Sequence, residues 1–110
     1  MRNSEKIPTA YIVTNKSHTT LYVGVTSNLI GRIWQHKNKT YPKSFTARYN
    51  CNKLVYYESS PTMHEAIAFE KQLKNWKREW KIDLINKHNP DWEDLSVDWY
   101  DNADSGSSPE

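Results

Sequence analysis

Five side chains in this 110-residue chain have the types and spacing for chemistry on a phosphodiester: Tyr11, Tyr22, Arg32, His36 and Glu70. Glu70 is the most informative. On a helix its same-face neighbours are Met63, Ala66, Ile67 and Leu73, which belong to a core. A carboxylate inside an apolar stripe is costly unless it is paired or bound to a cation. Two readings follow: a structural ion pair with a nearby Lys or Arg, or a site for a hard divalent cation. Mg²⁺ or Mn²⁺ fits the second, because Mg²⁺ accepts one or two carboxylates and completes its shell with water and phosphate. Arg32 suits a phosphate, since its planar fork donates two parallel hydrogen bonds and stays charged. His36, four residues on, shares a helical face with Arg32 and titrates near neutrality. Tyr11 and Tyr22 are packing residues if taken alone. In a catalytic role one of them loses a proton to activate water, and a metal, Arg32 and His36 would favour that form.

These side chains need a scaffold. Residues 8–14 and 20–26 are short apolar runs split by Asn15-Lys16-Ser17-His18, the pattern of a β-hairpin. Leu21, Val23 and Val25 share one strand face; Tyr22 and Gly24 share the other. Gly24 leaves room for a group to approach the backbone closely. Ser27 or Asn28 caps a helix over about 28–39, in which Leu29, Ile33 and Ile30 serve the core. Residues 40–52 read as irregular, broken by Pro42, Asn50 and Asn52. This loop is basic and aromatic, and Lys43, Phe45, Arg48 and Tyr49 are candidates to hold a nucleic-acid backbone and stack a base. Leu54 to Glu58 is a third strand. Ser60-Pro61, or Thr62 with Glu65 as a capping box, opens a helix that runs to about Asn75. A second helix follows over 77–86 after little or no break and ends at Asn89-Pro90. Trp92 and Leu95 dock the segment beyond it.

The totals bound the function. One domain is expected, with residues 1–7 as a lead-in, 8–95 as the domain and 96–110 as an acidic, disordered tail. Net charge is +2, but every one of the 15 Lys and Arg lies at or before Lys87. Residues 1–90 carry +9 and residues 91–110 carry −7. A basic body points to a polyanion, nucleic acid first. The single cysteine, Cys51, excludes an internal disulfide framework. No apolar run approaches a membrane span, and no secretion signal opens the chain, so no membrane partner and a cytoplasmic location are expected. His18, His64 and His88 do not make a zinc spacing with Cys51. Three glycines cannot build a glycine-rich phosphate loop.

The order of these motifs resembles the GIY-YIG nuclease superfamily, in particular its small stand-alone bacterial proteins. The resemblance rests on Ala10-Tyr11-Ile12, Tyr22-Val23-Gly24, Arg32 with His36, and Phe45-Thr46-Ala47-Arg48-Tyr49. It continues through Leu54 to Glu58, Glu70-Lys71-Gln72-Leu73-Lys74 and Asn89 to Leu95, and so spans about residues 8–95. It implies an α+β fold, a three-stranded antiparallel sheet flanked by helices. It also implies divalent-metal-dependent cleavage of DNA, with DNA repair as a setting. By position Tyr11 and Tyr22 match the motif tyrosines, Arg32 the phosphate-binding arginine, His36 the acid/base position and Glu70 the metal ligand. A late catalytic asparagine falls on Asn89, with Asn86 second. The glycine of the first half-motif is absent, with Thr9 and Ala10 before Tyr11, and Val23 replaces isoleucine in the second. No extra DNA-binding domain is present, so structure-selective cutting or a protein partner that supplies specificity is expected. The alternative is a nucleic-acid-binding module on the same scaffold with little or no cleavage.

Overall fold

The computed structural model describes residues 6–100. Strand β1 (Thr9–Thr14) lies between β2 (Leu21–Thr26) and β3 (Lys53–Ser59) in an antiparallel sheet. A central strand covered on both faces has no exposed side, and every residue of β1 is buried. The alternation of its side chains then divides the interior into two cores. Ile12 joins Val23, Val55, Tyr56, Leu73 and Ile85 on one side. Tyr11 and Val13 join Ile33, Cys51 and Leu54 on the other. The register against β3 slips between Ile12 and Val13, a bulge that locally bends the strand pair.

Helix α1 (Leu29–Lys37) begins at Asn28, whose Oδ1 accepts from the Gly31 N–H at 3.1 Å. Ile33 is its buried residue, and Leu29 packs against the same core. Ile30 was expected in the core but is 50% exposed. The expected irregular loop over 40–52 contains one helical turn, α2 (Phe45–Arg48). Ser44 caps it by accepting from the Ala47 N–H at 3.2 Å. A single turn has no periodicity to read, so the cap is its only sequence mark.

Thr62, not Ser60, caps α3 (Met63–Asn75), with Oγ1 accepting from the Glu65 N–H at 3.2 Å. The extended backbone of Trp76 and Lys77 separates α3 from α4 (Arg78–His88). Helix α3 packs against β1 and β2, and α4 against β3. Beyond α4 the chain returns to the sheet. Trp92 packs on the first core, while Leu95 is 37% exposed and Ser96 beside it is buried. Part of the stretch assigned to the tail by composition packs as well: Ser96 is buried, and Trp99 and Tyr100 cover the second core. The acidic stretch over 101–110 lies outside the described residues.

Candidate active site

The strand hairpin and α1 bring Tyr11 and His36 together. The Tyr11 hydroxyl is 2.8 Å from His36 Nε2, and Thr46 Oγ1 is 2.9 Å from His36 Nδ1. Both imidazole nitrogens are thus engaged, from opposite sides, by a strand and by α2. Burial, with the Arg32 charge adding to it, holds the His36 pKa down to about 4. The ring is neutral at neutral pH, with one donor and one acceptor nitrogen. A Tyr11 hydroxyl donating to Nε2 makes Nδ1–H the donor to Thr46.

Tyr11 itself is sealed from solvent. Burial pushes its pKa up to about 12, although Arg32 beside the hydroxyl opposes that rise. Arg32 favours the phenolate, as expected, but desolvation outweighs it, and without a metal Tyr11 is a neutral phenol at neutral pH. The close approach that Gly24 permits is made by Tyr11. The two residues are paired across β1 and β2, and a Cβ at Gly24 would lie 2.5 Å from Cζ of Tyr11.

Tyr22, on the same hairpin, is half-buried and faces the outside of this group. Its ring is 6.1 Å from the His36 ring and stacks on Phe45 at 5.8 Å. Phe45 continues the stack to Tyr49 at 4.6 Å. Tyr22, Arg32, His36, Phe45 and Thr46 line an open cleft of about 410 Å³, with Lys39 and Tyr41 at its mouth. Lys39 adopts φ 50°, a left-handed conformation that turns the chain sharply out of α1.

Glu70 is the one buried carboxylate among the described residues, at 9% exposure. Its Oε2 pairs with Lys74 Nζ at 2.8 Å, one helical turn on. Its charge acts on Tyr11, so Glu70, Lys74 and Tyr11 share one electrostatic neighbourhood. No group of three or more His, Cys, Asp or Glu able to hold a metal occurs among the described residues. Any divalent ion here would rest on a single protein carboxylate.

The structure thus gathers Tyr11, Tyr22, Arg32, His36 and Glu70. Asn89 does not join them. Its Nδ2 donates to the carbonyls of Val55 at 3.1 Å and Glu93 at 2.9 Å, and its Oδ1 accepts from the Glu93 N–H at 3.1 Å. Both amide hydrogens and the acceptor are committed to closing the turn after α4 onto β3. Asn86 is likewise occupied, accepting from the Trp92 indole N–H at 2.6 Å. Of the loop candidates, Phe45 lines the cleft. Lys43, Arg48 and Tyr49 are exposed beside it, with the Arg48 guanidinium 5.9 Å from the Tyr49 ring centre. Thr46 and Lys74 were missed as site residues. The i, i+4 spacing of Glu70 and Lys74 was a usable signal; nothing local marks Thr46, because its partner lies on another element.

A small α+β domain with two strand tyrosines, a helical Arg–His pair and a buried helical glutamate is the class these features define. The chain belongs to the GIY-YIG family, matching the model of the GIY-YIG catalytic domain over residues 8–83. It is 35% identical over 78 residues to a UPF0213 protein of Pediococcus pentosaceus, covering 71% of this chain and 81% of that one. A UPF0213 protein of Syntrophus aciditrophicus is 33% identical over 75 residues, covering 68% and 85%. The solution NMR structure of a UPF0213 protein from Bacillus halodurans shares the fold, with a TM-score of 0.51 at 23% identity, covering 83% of this chain and 96% of that one. The family is one of nucleases, which makes nucleic acid the substrate class. Among the described residues no helix is long and apolar enough to cross a membrane.

Proposed function

We propose that this chain is a divalent-metal-dependent endonuclease that hydrolyses phosphodiester bonds in DNA with a preference for structure over sequence. The observation that carries the reading is the convergence of Arg32, Tyr22 and the Tyr11–His36–Thr46 chain on one open, aromatic-walled cleft. Arg32 binds the scissile phosphate and offsets charge developing on its oxygens. Tyr22, at the cleft wall, is the tyrosine that an attacking water can reach; Tyr11 is sealed and orients His36. His36, neutral and held at both nitrogens, takes part in moving the water's proton. Phe45 and Tyr49 stack a base, and Lys43 and Arg48 hold backbone phosphates.

Glu70 fits a one-carboxylate Mg²⁺ or Mn²⁺ site, because it is buried, its charge acts on Tyr11, and such ions accept a single carboxylate. When bound, the ion would supply Lewis-acid stabilisation of the phosphate oxygens. The Glu70–Lys74 pair is the one observation that favours a second reading, a binding module in which Glu70 is purely structural.

A labelled panel of duplex, nicked, flapped, branched and single-stranded DNA, incubated with Mg²⁺, Mn²⁺ or EDTA, separates the two. Metal-dependent cutting by wild type, lost in Glu70→Ala with binding retained, is the expected result. Binding without cutting by wild type transfers the assignment to the module. A cytoplasmic setting and a role in DNA repair belong to this same proposal.

A further inference from the structure

A second aromatic feature lies outside the cleft, at the corner between α3 and α4. Trp76, Trp80, Asp83, Leu84 and Lys87 line a shallow groove of about 340 Å³. Trp76 is partly buried against the first core and anchors the corner. Trp80 meets it edge to face at 6.2 Å and is 51% exposed. Packing does not require an indole so far out in water, one turn into a helix whose buried residue is Ile85. Lys77 Nζ lies 5.9 Å from the Trp80 ring centre. Arg78 and Lys81 lie close by, and among the described residues neither they nor Lys77 form an ion pair. Their charges crowd one another: burial first, then the Arg78 charge, lowers the pKa of Lys81.

We propose that the groove at the α3–α4 corner docks an unpaired strand of nucleic acid, with Trp80 as the stacking face for a base and Lys77 and Lys81 as phosphate contacts. An exposed indole flanked by unneutralised cations is the combination that meets a base and its phosphate together. Asp83 and Lys87 in the lining offset each other, and Lys77 beside the Trp80 ring is the cation that a neutral apolar peptide would desolvate without compensation and a polyanion would neutralise. Position supports the choice. Helix α3 carries Glu70 as well, and its last residue, Asn75, is about 7.5 Å further along the axis at 1.5 Å per residue. Arg78 also donates to the His18 carbonyl at 3.2 Å, fixing the corner against the hairpin that supplies Tyr11 and Tyr22. The inference extends the nuclease reading and narrows its substrate class to DNA bearing a single-stranded arm, such as a flap or an overhang.

The test is binding in EDTA, so that no cleavage intervenes. Fluorescence anisotropy of the full chain with a labelled single strand, an overhang duplex and a blunt duplex is compared for wild type, Trp80→Ala and Trp80→Phe. Trp80→Ala is expected to weaken binding of the single strand and the overhang by about 5- to 100-fold. Blunt-duplex affinity should stay within about twofold, and Trp80→Phe should keep most of the single-strand affinity. Single-strand affinity that is unchanged in Trp80→Ala, or lost equally for blunt duplex, overturns the proposal and leaves the groove to a protein partner. Lys77→Gln with Lys81→Gln gives a second readout that avoids altering the indole. The slope of log affinity against log salt should fall by about 1.4 for the single strand, and an unchanged slope also overturns it. Loss of this effect with metal-dependent cutting intact removes only the groove; absence of cutting with the Trp80 effect intact removes only the nuclease.

Discussion

His36 shows how burial and two partners set the state of one side chain. Its folded pKa of about 4 lies below the ordinary value of about 6.5. The unfolded chain therefore takes up the proton first as pH falls. The stability that His36 contributes is complete above about pH 6.5 and is lost progressively toward pH 4. Thermal melts of wild type should fall across that window more steeply than those of His36→Gln, and equal slopes would reject a buried neutral ring. Gly24 belongs to the same scale. Gly24→Ala places a methyl against the Tyr11 ring, which is fully buried and has no free path away. The expected outcome is loss of the Tyr11–His36 contact and a fall in cleavage of about 100-fold, since misplacement of about 1 Å has that effect. Single-turnover cleavage and the NMR titration of His36 check both halves; wild-type rates in Gly24→Ala would remove Tyr11 from the positioning role.

At the scale of elements, the second core depends on a clasp that involves no helix packing. Asp94 accepts from the Leu54 N–H at 3.2 Å and from Ser96 N–H and Oγ, and it pairs with Lys37 at the end of α1. Burial works against its charge, but Lys37 and Ser96 outweigh it and hold the carboxyl below the usual range. The clasp is therefore present above the ordinary carboxylate pKa and is lost as pH falls through the lowered one. It joins β3, α1 and the C-terminal segment, and so fixes the helix that carries Arg32 and His36. Asp94→Ala should cost about 2 kcal/mol in urea unfolding at neutral pH, because it leaves buried donors and Lys37 without their acceptor. A loss below about 0.5 kcal/mol, the size of an ordinary surface change, would show the clasp to be dispensable.

At the scale of the molecule, charge separates along the chain. The body to residue 90 carries +9, and Asp101, Asp104 and Glu110 fall in the last ten residues. Residues 97–110 are not a removable unit, because Trp99 and Tyr100 cover the second core and the Tyr100 hydroxyl donates to the Ile30 carbonyl at 2.7 Å. The negative charge of residues 101–110 opposes that of the basic body and would mask it from DNA, and a cut after Tyr100 tests this. Deleting residues 101–110 is expected to tighten DNA binding at low salt, with the gain shrinking as salt rises. Binding that is unchanged or weaker at low salt rejects masking.

Much of this protein was legible in local pattern. Short apolar runs marked the three strands, with alternation clearest in β2, and capping residues marked α1 and α3, because these signals act over a few neighbouring residues. The apolar neighbours of Glu70 marked it as an anomaly for the same reason: a helical face is a local object. Other features depend on residues far apart in the chain. Thr46 reaches His36 only because α2 folds beside α1, and the sealing of Tyr11 needs strands on both sides. Asn89 matched a catalytic position by order along the chain, yet its amide closes a turn onto β3. Trp99 and Tyr100 stood in a stretch whose composition is that of a tail. Sequence alone determined the strands, the longer helices, most of the candidate side chains and the basic body, which follow from covalent neighbours and summed charge. Tertiary structure decided which side chains meet and which are desolvated, because hydrogen bonds and burial depend on distance in space, and residue order does not encode that distance directly.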